Sequence, residues 1–227
     1  MIRYAIMAWT IVTLSARLFY RRLGIFLAAN VLWLITSLPI VTMPAAAGGL
    51  FYLMSRVIAD ERDLDPDESA IGDFWVGFRQ YWRSFSLLGF LDLVAFLLLG
   101  STAYFYWQHP VELFNWLAGP LVIFLLTLFF MQLYLFPLRL VYPEETVWGI
   151  FRRAFFLVIT KPMDSVLLVT WLIILTAVCF TLAGPVLFLL FSAIALVQTF
   201  ALRIIRIERG EIPGAIVDEL KENRGNK

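Results

Sequence analysis

Six apolar stretches joined by alternating short and long connectors set the pattern of this chain. They run from Leu23 to Val41, Ala45 to Ala59, about Leu87 to Trp107, Trp116 to Phe136, Asp164 to Thr181 and Val186 to Ile205. Stretches of this kind, about 20 residues each, are what a bilayer-crossing helix needs. They pair across three short tips, Leu38 to Pro44, Gln108 to Asn115 and Leu182 to Pro185, none of which holds Lys or Arg. The pattern predicts an all-α polytopic membrane bundle, with six transmembrane helices arranged as three hairpins. With little chain left over, residues 1–227 read as a single integral membrane domain. The first hairpin covers 23–59, and its second arm carries the small residues Ala45, Ala46, Ala47, Gly48 and Gly49. Small residues let helix backbones approach closely in lipid, which places this arm at the centre of the bundle.

Ahead of the second and third hairpins lie segments in which bulky and basic residues alternate. One holds Phe74, Trp75, Phe78, Arg79, Tyr81, Trp82 and Arg83; the other holds Trp148, Phe151, Arg152, Arg153, Phe155 and Phe156. The aromatics of the first fall at i, i+1, i+4, i+7 and i+8, one face of a helix. Each segment is expected to form a cytoplasmic amphipathic helix lying in the interface, giving units 73–136 and 144–206 and a cytoplasmic tail at 207–227. The alternative is that the residues simply lengthen the following span. The two units look like copies in the same orientation, since Phe78-Arg79, Gly119-Pro120, Gln132 and Leu138-Arg139 recur in order as Phe151-Arg152, Gly184-Pro185, Gln198 and Leu202-Arg203. Residues 1–20 read as a further interfacial helix, because the apolar run Tyr4 to Ala16 between Arg3 and Arg17 is too short to cross. Tyr4, Trp9, Phe19 and Tyr20 are its anchors; a cleaved leader is the competing reading.

Charge then orients the bundle. All 18 Lys and Arg residues fall in the N-terminal segment, the two long connections or the C-terminal tail, or, as Arg56 and Arg203, at the adjoining ends of apolar stretches. Cytoplasmic loops collect such residues, so both termini are expected in the cytoplasm. The acidic stretch Asp60 to Glu68 lies on the same side and does not reverse the orientation, which follows Lys and Arg alone. A composition that is 61% hydrophobic fits a membrane protein. No basic stripe suits nucleic acid. Cys179 is the single cysteine and His109 the single histidine, which speaks against a disulfide framework and a metal site. No nucleophile elbow, zinc-protease motif or phosphate-cradling glycine loop is present. The expectation is a non-enzymatic protein without cofactor.

Polar groups inside the apolar stretches are few, and such groups are often functional. Asp92 and Asp164 occupy nearly matching places in the two copies; Asn30, Gln132 and Gln198 lie deeper. One reading makes the aspartates a coupling-ion or substrate pair. The blander one, which the position near the basic side favours, pairs them with Arg79, Arg139, Arg152 or Arg203. Asn30, Gln132 and Gln198 are expected to form hydrogen bonds between helices.

The run Asn30-Val31-Leu32-Trp33, continuing to Ser37-Leu38-Pro39-Ile40-Val41-Thr42, resembles the signature of the YesL-like family of bacterial membrane proteins, a domain of unknown function. The small-residue stretch Pro44 to Tyr52 and the segment Phe74 to Phe85 continue the likeness, which covers about the first 85 residues. The resemblance implies a bacterial inner-membrane location and a link to carbohydrate uptake by ATP-driven (ABC-type) importers. It implies no activity. Pro143 through Pro162 also shares Gly149, Ile159 and Pro162 with the spacing of the coupling helix of importer permeases, departing from that motif at Pro143 and Lys161. The expected role is an accessory protein that meets permease subunits or its own copies through Phe74, Phe78, Arg79, Tyr81, Trp82, Arg83, Trp148, Phe151 and Arg152. The alternative is an independent small-solute transporter or channel, using Asn30, Asp92, Gln132, Asp164 and Gln198.

Overall fold

The structure is a computed structural model that describes Ser15, Tyr20 and residues 22–59, 70–109, 112–181 and 185–211. The interfacial helix expected at 1–20 (apart from Ser15 and Tyr20), the acidic stretch, most of the third tip and most of the tail lie outside the described residues. Those described form seven α-helices and one 3-10 turn, with no strand among them: α1 (Leu23–Ser37), the turn (Ile40–Thr42), α2 (Met43–Ala59), α3 (Ala70–Trp107), α4 (Glu112–Val141), α5 (Val147–Thr160), α6 (Pro162–Thr181) and α7 (Pro185–Glu208). Among the described residues, five stretches are long and apolar enough to cross a membrane: Ile40–Ile58, Gly72–Trp107, Trp116–Val141, Pro162–Thr181 and Leu189–Ile207. The chain is thus a membrane protein.

The sixth stretch differs from expectation. α1 has 15 residues, about 22 Å at 1.5 Å per residue, against a hydrocarbon core of about 30 Å. Pro39 supplies no N–H and crowds the preceding turn, so the helix cannot run on. Side chains then add hydrogen bonds to the carbonyls of its last turns. Thr36 Oγ1 donates to Leu32 O, Ser37 Oγ to Leu34 O, and Thr42 Oγ1 reaches back to Thr36 O and Pro39 O. Around these bonds Leu38, Ile40 and Val41 are exposed. A turn whose backbone is satisfied internally and whose surface is apolar is compatible with lipid.

α3 corrects a second expectation. The aromatic segment is not a separate interfacial helix; it is the first part of one helix of 38 residues. Nothing in Ala70–Trp107 breaks a helix, since the stretch holds no proline. In the corresponding segment before the last hairpin, α5 is a separate helix. Thr146 caps α5, its hydroxyl accepting from Gly149 N–H at 3.2 Å. Pro162 then ends α5 by forcing Lys161 out of the helical region (φ −129°, ψ 54°).

The small-residue arm does sit at the centre. Ala45, Ala46, Gly48 and Gly49 are buried, and α2 packs most extensively against α3, the helix of the next unit, with α1 lying against α7 as well as α2. A Cβ on Gly77 would stand 2.5 Å from Tyr52 Cβ, and one on Gly49 2.8 Å from the Phe74 carbonyl oxygen. Glycine at both places is what brings the backbones together. Phe85 and Phe51 each stack on Phe136, at centroid distances of 5.5 and 5.7 Å, closing α2, α3 and α4 around one aromatic cluster.

Candidate functional site

At the end of the bundle where the arginines gather, a cavity of about 540 Å³ opens between the C-terminal ends of α4 and α7 and the length of α5. Leu138, Leu157, Leu202 and Ile205 form its apolar floor, and its charged wall is Glu145, Arg152, Arg153, Arg206, Arg209 and Glu211. Tyr142, the residue after α4, organises the wall. The Arg153 guanidinium lies over its ring at 4.1 Å from the centroid, and that of Arg206 at 5.8 Å. The Tyr142 hydroxyl donates to Glu211 Oε2 at 3.0 Å, and Arg206 Nε donates to the same oxygen at 3.1 Å. Arg153 Nε donates to Glu145 Oε1 at 2.7 Å, with its Nη2 on the same oxygen. Arg139 Nη1 donates to the Glu145 carbonyl, pinning the α4–α5 connection.

These contacts shift the titrations in consistent directions. The hydrogen bond from Arg153 holds the Glu145 carboxyl below its ordinary value. Partial burial pushes the Glu211 carboxyl up, but the hydrogen bonds from Arg206 and Tyr142 outweigh it and leave the group lowered. Burial, and then the Glu211 carboxylate, raise the Tyr142 hydroxyl. Both glutamates are therefore ionised at neutral pH and both are engaged. Four arginines against two glutamates leave the wall at +2. Arg152 and Arg209 form no direct ion pair among the described residues; Arg209 Nη2 reaches only Thr160 Oγ1, at 3.4 Å.

The residues expected from the sequence divide into several places. Trp148 and Arg152 line the cavity and are exposed, while Phe151 packs against the core. On α3 the aromatic face faces inward: Phe74 is fully buried, and Phe78 and Tyr81 are half-buried towards α2. Trp75, Arg79, Trp82 and Arg83 are exposed, with Arg83 over the Trp82 ring at 5.7 Å. The two aspartates do not pair with each other. Half-buried Asp92 accepts from Gln132 Nε2 across α3 and α4, its Oδ1 buried without a hydrogen-bond partner among the described residues. Asp164 lies 3.6 Å from Lys161. Asp92 takes none of the arginine partners expected for it among the contacts described.

Asn30 Oδ1 accepts from Ser192 N–H at 3.1 Å, tying α1 to α7, and Gln198 is buried on α7. Tyr134 and Ser165, hydroxyl to hydroxyl at 3.0 Å, join α4 to α6. Arg203 Nη1 donates to Ile58 O at 2.9 Å and thereby satisfies the last turn of α2. Each polar contact thus joins a different pair of helices. Sequence reasoning missed Tyr142, Arg153, Arg206, Arg209 and Glu211 as site residues. The spacing of Arg203, Arg206 and Arg209 at every third position was the available signal, since such residues lie on neighbouring parts of a helix surface.

Residues 26–101 match the family model described as "Protein of unknown function, DUF624". The match spans α1, α2 and most of α3, and it ends before α4, α5 and the arginine-lined cavity. No curated protein and no solved structure matches the chain.

Proposed function

We propose that this chain is a non-enzymatic accessory protein of a bacterial inner membrane, docking onto the permease of an ATP-driven sugar importer. The observation that carries the reading is a pair of exposed aromatic-and-arginine faces at the basic end: Trp75, Arg79, Trp82 and Arg83 on α3, and Trp148, Arg152 and Phe156 on α5. Aromatic residues and Arg are enriched where proteins meet. Both faces lie on the helices whose sequences alternate bulky and basic residues, and α5 carries the partial likeness to a coupling helix. The tie to carbohydrate uptake comes from the resemblance of residues 30–85 to the YesL-like family. The basic end faces the cytoplasm in this reading, as the confinement of Lys and Arg to it supports. The hairpin of α1 and α2 enters and leaves on that same side, whether α1 crosses fully or turns back within the bilayer.

A small-solute transporter is the second reading. It rests on the Asp92 carboxylate, whose Oδ1 is buried without a hydrogen-bond partner among the described residues. The first reading is preferred because the remaining polar groups of the interior are dispersed among separate helix pairs.

The test is recovery of partners from native membranes in mild detergent, by the parent and by a variant carrying Trp75→Ser, Trp82→Ser and Trp148→Ser. Importer permeases in roughly equal amount with the parent, and their loss with the folded variant, are expected. A parent that purifies alone as a single species rejects the accessory role.

A further inference from the structure

We propose that the cavity between α4, α5 and α7 is a binding site for a phosphate group, carried either by an anionic lipid headgroup or by a phosphorylated small solute. This goes beyond the docking role and does not depend on it. The wall is net positive, and each of its two carboxylates already accepts from a neighbour, Glu145 Oε1 from Arg153 and Glu211 Oε2 from Arg206 and Tyr142. Those contacts fix two guanidinium groups in place, while Arg152 and Arg209, near Glu145 and Glu211, form no direct ion pair among the described residues. Guanidinium donors match phosphate oxygens in geometry as well as charge. The capped start of α5 at Thr146 and Gly149 also lines the cavity, adding the positive end of a helix dipole.

Size and depth agree with this chemistry. A volume of about 540 Å³ is far more than ordered water needs and lies within the range of small-molecule sites. The floor is apolar, so a phosphate would sit over aliphatic side chains that could take a glycerol backbone or a sugar ring. Exposed Trp148, Phe156 and Ile159 form a stripe along α5, at the level where an amphipathic helix meets headgroups. Phosphate at that level is available from both sources.

The full chain in detergent would be tested in two arms. Native mass spectrometry would follow retention of phosphatidylglycerol against phosphatidylcholine, and calorimetry would follow glucose 6-phosphate and inorganic phosphate. Arg152→Gln alone and with Arg209→Gln would be compared with Arg79→Gln/Arg83→Gln, which removes equal charge elsewhere. Each cavity substitution is expected to weaken binding about tenfold, the size of one lost charge-assisted contact, with the α3 pair near the parent. Selective lipid retention assigns a headgroup; binding of the soluble esters assigns a solute. Absence of binding in both arms overturns the proposal. So does equal weakening by the α3 pair, or no change in the folded cavity variants.

Discussion

Replacing Gly77 by alanine adds one methyl group where α3 crosses α2. Its carbon would stand 2.5 Å from Tyr52 Cβ, whereas unbonded carbons rest at about 3.5–4.0 Å. The obstacle is a Cβ fixed to the facing backbone, so no rotamer change relieves it and the helices must part by roughly 1 Å. Overpacking of this kind costs about 1–3 kcal/mol. Alanine also gains about 1 kcal/mol over glycine in a helix, so the comparison must be with a glycine that lacks the clash. Gly100, on the same helix, has nothing within 4 Å of its Cβ position. Gly100→Ala collects the helix gain alone, and the difference between the two variants isolates the crossing. For a chain of this size 1 kcal/mol moves the midpoint by about 2–4 °C. Thermal unfolding in detergent, followed by helical circular dichroism, should therefore place Gly77→Ala roughly 3–9 °C below Gly100→Ala. Adding Tyr52→Gly removes the opposing Cβ and should make the double variant less unstable than the two single effects summed. Equal midpoints for the two alanine variants would refute the close crossing.

Gln132→Leu strips Asp92 of its donor and should lower the same midpoint, by about 0.6–1.7 kcal/mol; in an Asp92→Leu background the cost should vanish, and an unchanged cost there rules out the pairing. Acidification should loosen the α4–α5 connection. The Glu145 carboxyl is more acidic folded than unfolded, so its contribution is complete above the ordinary glutamate value of about 4.3 and is lost as pH falls through the lowered folded value. Midpoints measured from neutral pH downward should fall less steeply in Glu145→Gln than in the parent, and parallel profiles would show that the Arg153 bridge contributes nothing.

Much of the architecture was legible from local signals, because each rests on residues adjacent in the chain. The run Ala45 to Gly49 marked α2 as central, and Thr146 and Pro162 bracket α5. The absence of proline from 70–107 also announced one long helix, but the aromatic-and-basic pattern, which suits an interfacial helix equally, masked it. Reading an aromatic face as a contact surface failed at Phe74 because burial depends on what lies opposite, and Gly49 opposite is a feature of another helix. The length of α1 was hidden for a similar reason, as Pro39 stops the helix inside a run whose hydropathy continues to Val41. The cavity was least legible. Tyr142 and Glu211 meet from 69 positions apart, and no pattern within either neighbourhood encodes that encounter.

The unbroken course of α3 has a mechanical meaning. Its 38 residues measure about 57 Å, nearly twice the hydrocarbon thickness of about 30 Å, so one unbroken rod carries both the apolar span and the aromatic segment at the basic end. Tilts of about 20° are ordinary for spans, and swinging half that rod through such an angle carries its tip by roughly 10 Å. Phe74 and the backbone of α2 clamped to it would travel with the tip. α5 and α6, by contrast, are separated at Lys161 ahead of Pro162 and do not form one rod. A tilt of α3 therefore carries its aromatic end with it, whereas the break at Lys161 frees the direction of α5 from that of α6.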